Sequence, residues 1–127
     1  MAESKKERLK IEEEDFLILE NMSGELAQIL KERYDLKVKD ESAWPKRYSY
    51  SHSGLDLEFI FSSMGSFTVR PEISERYKKN PPPIFYISVG KYLDAFIWED
   101  INFTEVPFDR IPESLEESLK NYAEYSA

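Results

Sequence analysis

The stretch IFYISVGKYLDAFIW, residues 84–98, does most to limit what this chain can fold into. Two apolar runs, 84–89 and 92–98, flank Gly90-Lys91. Both are rich in Ile, Val, Phe, Tyr and Trp, the side chains that fit a pleated, half-buried surface. This pattern predicts a β-hairpin with a two-residue type II′ turn, because glycine supplies the positive φ that the first central position needs. Alternation sends Phe85, Ile87 and Val89 to one face and Ile84, Tyr86 and Ser88 to the other. On the second run Leu93, Ala95 and Ile97 separate from Tyr92, Asp94, Phe96 and Trp98. A lone hairpin is marginal in water, so further strands and a helix have to cover it.

The rest of the chain supplies them. Four carboxylates, Glu12 to Asp15, suit a helix N-terminus. Leu19, Met22, Leu26, Ile29 and Leu30 then recur at steps of three and four, which predicts a helix over 13–34 despite Gly24. Residues 36–39 alternate as a short edge strand, and 40–45 read as a loop running into Pro45. Tyr48, Tyr50 and His52 alternate with serines, Ser53-Gly54 is a turn signal, and LDLEFIF at 55–61 is the clearest period-2 run. A further strand covers 67–70. Pro71 suits a first helical position, with a short helix to Lys79 and a polyproline spacer at 81–83. Residues 101–106 read as a last strand stopped by Pro107, and Pro112 opens a helix with a seam of Leu115, Leu119 and Tyr122. The expected fold is α+β, an antiparallel sheet of about four to five strands with N-terminal and C-terminal helices packed on one face. One domain spans 1–127, with 1–11 frayed.

Charge is distributed unevenly. Residues 1–91 hold 16 acidic and 15 basic side chains, whereas 92–127 hold 9 acidic side chains against Arg110 and Lys120. Nearly all of the net charge of −8 therefore sits in the last quarter. An acidic face of this kind either solubilises or steers a basic protein partner. Nucleic acid is disfavoured, since phosphate binding needs clustered Lys and Arg. With no cysteine, disulfides, thiol nucleophiles and cysteine metal sites are excluded. No run reaches the roughly 20 apolar residues of a membrane span, and 1–15 lack a secretory apolar core. The expected setting is cytoplasmic.

Catalytic constellations are sparse. His52 is the only histidine, and its serine neighbours on the strand point to the opposite face. Asp56 and Glu58 share one face, which reads as a solvated outer face with no evident cleft for acid–base work, and Glu99-Asp100 at a strand end read as a turn. No glycine-rich phosphate loop occurs. The expectation is a non-enzymatic protein-binding module with no catalytic, metal or cofactor site. Asp94, Trp98, Glu99, Asp100, Glu116 and Glu117 are the candidate partner-binding residues, an aromatic anchor among carboxylates.

In size, acidity and architecture the whole chain resembles the immunity proteins of bacterial toxin systems. That resemblance implies a basic toxin as partner, bound by an acidic surface over its active site. The element order α-β-β-β-α-β-β-α is also similar to type III secretion chaperones, which would imply a homodimer holding an effector segment. Oligomeric state separates these two readings, and an enzyme with a carboxylate site is the third.

Overall fold

The computed structural model describes residues 7–72 and 82–126, and it is α+β. A 3-10 turn, Glu13–Asp15, leads into α1, Phe16–Tyr34. Six strands follow: β1 Lys37–Asp40, β2 Lys46–His52, β3 Leu55–Ser62, β4 Ser66–Pro71, β5 Phe85–Lys91 and β6 Phe96–Glu99. A second 3-10 turn, Phe108–Arg110, opens α2, Ile111–Ser126. The strands form one antiparallel meander in chain order, each paired with its sequence neighbour. The sheet is therefore one strand larger than expected, because the edge strand β1 joins it.

One face of the sheet carries the core. Tyr48, Leu57, Phe59, Phe61, Phe67, Val69, Phe85, Ile87, Val89 and Trp98 are buried in a single cluster with Leu19, Leu26 and Leu30 of α1 and Ile111, Leu115 and Leu119 of α2. Period-2 alternation places these strand residues together, and the helical stripe closes over them. Aromatic contacts tie neighbouring strands, with Phe61 stacked on Phe67 at 4.4 Å and Phe59 tilted to Phe67 at 5.5 Å. Asp35, in the left-handed region at φ 50°, ends α1 by donating its backbone N–H to the carbonyl of Lys31. Ser53 and Gly54, both at positive φ, make the β2–β3 turn as expected.

Four local expectations need correction. The β5–β6 reversal is not at Gly90-Lys91: Gly90 pairs with Ile97 and Lys91 with Phe96 inside the ladder. The chain turns over 92–95, closed by the Tyr92 N–H donating to the Ala95 carbonyl at 2.8 Å. Gly90 is needed for space, because a Cβ there would collide with the carboxylate of Glu99. Residues 101–106 are not a strand, and pair with the sheet through the Glu99–Glu105 bridge. Pro71 ends β4 opposite Leu57 instead of opening a helix. The helix expected to reach Lys79 falls mostly outside the described residues, as does Pro81. Finally, part of the segment expected to fray is docked, since Leu9 bridges to Lys91 and donates its N–H to the Lys91 carbonyl at 2.7 Å.

No helix among the described residues is long and apolar enough to cross a membrane.

Candidate interaction loop and its surroundings

Between β6 and α2 the chain leaves the sheet for residues 100–107 and presents Ile101 and Phe103, which are 71% and 64% exposed. Loops carry much of what proteins bind, and an exposed aromatic on an ordered loop is a strong contact side chain. Asp100 orders it. Its Oδ1 accepts the N–H of Asn102 at 2.8 Å and of Thr104 at 3.0 Å. The Asp100 N–H donates to the Thr104 carbonyl at 2.9 Å, and Phe103 N–H donates to the Asp100 carbonyl at 3.0 Å. This is the local side-chain-to-backbone chemistry that aspartate brings to turns. At the far end, the Val106 N–H donates to the Trp98 carbonyl at 2.8 Å and returns the chain to β6.

Phe103 sits at φ 62°, a conformation that an aromatic residue rarely adopts. The guanidinium of Arg8 lies 5.1 Å from the ring centre. The loop also borders two depressions. One, of about 480 Å³, is lined by Ile11, Met64, Tyr86, Ile101 and Phe103 with Asp100. The other, of about 340 Å³, lies between β5, the loop and α2, where Glu117 and Asp100 meet Tyr86 and Ile101. Met64 and Tyr86 are themselves exposed large apolar side chains. The result is an apolar surface with Asp100 and Glu117 at one margin and the Arg8 guanidinium at the other.

The six sequence-derived candidates are distributed unequally over this region. Asp100 and Glu117 meet at the 340 Å³ depression. Asp94 is exposed in the β5–β6 turn, away from both depressions' linings. Glu116 is exposed on α2 but accepts from Arg33 Nη2 at 3.0 Å, tying α2 to α1. Trp98 and Glu99 are only 4% and 3% exposed. Trp98 faces inward because it pairs directly with Val89, whose side chain lies on the core face. Glu99 points to the other face and is covered, accepting a hydrogen bond from the Tyr92 hydroxyl. Its Oε1 faces Arg8 Nε at 3.7 Å and has no hydrogen-bond partner among the described residues. The hydrogen bond to Glu99, with burial adding to it, raises the Tyr92 pKa.

Ile101 and Phe103 escaped the sequence reading because their alternation imitates a strand. Asp100 and Asn102, turn-forming residues around Ile101, were the available signal.

Two further carboxylates, Glu58 and Asp15, are structural. Glu58, expected on a solvated face, is 6% exposed and ringed by Lys39 at 2.8 Å, Arg47 at 2.6 Å and Arg70 at 3.7 Å. Burial opposes its ionisation, but Lys39 and Arg47 outweigh that and hold the carboxyl below the usual range. Asp15 is similarly lowered by its hydrogen bond from Lys91 at 2.7 Å. Asp56 is exposed and, with Tyr34, Asp35 and Glu72, lines a cavity of about 330 Å³. His52 stacks on Tyr50 at the end of β2, with centroids 6.0 Å apart. Among the described residues no group of three or more His, Asp or Glu side chains is placed to hold a metal ion.

Comparison with protein-family models, with curated proteins and with solved structures finds no match to this chain.

Proposed function

We propose that this chain is a protein-binding module of the immunity or antitoxin type, acting in the cytoplasm by covering a basic protein toxin. The supporting observation is the ordered loop at 100–107, which offers Ile101 and Phe103 to solvent beside carboxylates. Exposed apolar contacts of this kind slow release once a complex forms, while the acidic last quarter speeds encounter with a basic surface. Glu117, with Asp94 as an outlying charge, is the steering group, and Asp100 acts by shaping the loop.

Capture of the tagged chain from its native host at low and high salt tests this reading. A basic protein recovered one-to-one in a salt-sensitive complex, whose toxic activity falls when the complex forms, supports it. A homodimer carrying an extended secreted segment would replace it with the chaperone reading. Binding that ignores salt would contradict the electrostatic part.

A further inference from the structure

A further depression, of about 220 Å³, lies between α1, β6 and the end of the 100–107 loop before α2. Its walls include Phe96, Trp98 and Phe108, with Met22 from α1. Glu25 and Glu105 complete the lining, and both are exposed. Among the described residues, no Lys or Arg lines the space and neither glutamate takes part in an ion pair.

Two half-buried aromatic rings, Phe96 and Phe108, backed by the buried Trp98 and flanked by two carboxylates unpaired among the described residues, make an environment suited to one chemistry. Aromatic faces attract a cation through their quadrupole, and they do so best when the cation carries apolar substituents that shed water easily. The carboxylates supply the compensating charge at the rim. A neutral apolar guest would gain from the rings but nothing from Glu25 and Glu105. A metal ion would find two carboxylates and no further hard ligand. At roughly 30 Å³ for each water, the space is equivalent to about seven waters, enough for a branched ammonium head group.

We propose that the pocket formed by Phe96, Trp98, Phe108, Glu25 and Glu105 binds an alkylammonium cation, a quaternary amine or the methylated end of a lysine side chain. This site does not depend on the toxin-binding reading: it takes the end of the same loop, 105–107, but neither Ile101 nor Phe103, the contacts that reading rests on.

Trp98 is a reporter within the pocket, and the chain's other tryptophan, Trp44, is removed by Trp44→Phe. Choline chloride is titrated at fixed ionic strength against 3,3-dimethylbutan-1-ol, its neutral isostere. Trp98 emission and the backbone amide NMR shifts of Phe96, Trp98 and Phe108 are followed together. The expected result is saturable binding of choline at least tenfold tighter than the neutral isostere. In Glu25→Gln/Glu105→Gln, choline binding weakens at least fivefold while the response to the isostere is unchanged. A trimethyllysine-containing peptide binding more tightly than choline assigns the site to a protein side chain, and the reverse assigns it to a free amine. Equal binding of choline and its isostere, or no saturable change in either readout, overturns the proposal.

Discussion

Arg8 stands over Phe103, its guanidinium 5.1 Å from the ring centre, and the same side chain faces the buried carboxylate of Glu99 at 3.7 Å. One residue from the N-terminal segment thus couples the exposed loop to the covered face of the sheet. Arg8→Ala removes the contact on Phe103 and leaves Glu99 without its nearby charge. A loss of about 1–3 kcal/mol is expected, at the low end for a pair so open to solvent on one side. Urea unfolding of Arg8→Ala and of Arg8→Ala/Glu99→Gln measures it. The second variant recovers part of the loss, and failure to recover any would place the effect elsewhere.

Asp100→Ala removes the acceptor for two loop N–H groups, Asn102 and Thr104. Each such bond to a charged acceptor contributes about 1.5–3 kcal/mol when dry and less at an exposed site. The expected cost is about 1–2 kcal/mol, with faster amide exchange confined to the loop. Asp100→Asn keeps an acceptor and retains most of the order. If Asp100→Ala left loop exchange unchanged, the side chain would not be what orders it.

Gly90→Ala is expected to destabilise by about 1–3 kcal/mol, since the new methyl must displace the Glu99 carboxylate. Glu99→Ala removes the obstacle. The two changes together therefore cost less than the sum of each alone, a coupling that a double-mutant cycle reads directly. Strict additivity would contradict the packing described.

Stability also depends on pH at both ends. Glu58 and Asp15 have folded pKa values below their ordinary ones, so their contribution is present above the ordinary carboxylate range and is lost as acid takes pH down through the lowered values. Tyr34 and Tyr48 are both pushed up to about 12, chiefly by burial. The folded state keeps those protons longer than the unfolded one, so stability falls as pH rises from near 10 to about 12. Equilibrium unfolding from pH 9 upward checks it, and Tyr34→Phe/Tyr48→Phe flattens the curve.

Period-2 runs such as 55–61 and the stripe at Leu19, Leu26 and Leu30 made the sheet face and the first helix legible in the sequence, because one face of each had to be apolar. Contacts between distant residues were not legible. Gly90 looks like a turn residue locally, and only the placement of Glu99 across the ladder shows that it is there for space. Trp98 reads as a surface anchor among carboxylates until β6 is seen to pair it with Val89 on the core face. For the same reason Glu58 looked solvated, since Lys39, Arg47 and Arg70 come from three different strands. Ile101 and Phe103 imitate a strand because alternation cannot distinguish a pleat from a loop held by Asp100.

The most direct test of the binding account compares wild type with Ile101→Ser/Phe103→Ser, both side chains being largely exposed and outside the core. Calorimetric titration against the basic partner recovered from the host reads affinity, and thermal unfolding reads stability. Affinity is expected to fall at least 100-fold, with only the small loss of melting temperature that follows from the missing Arg8–Phe103 contact. Wild-type affinity in the double variant would show that the loop at 100–107 is not the binding surface.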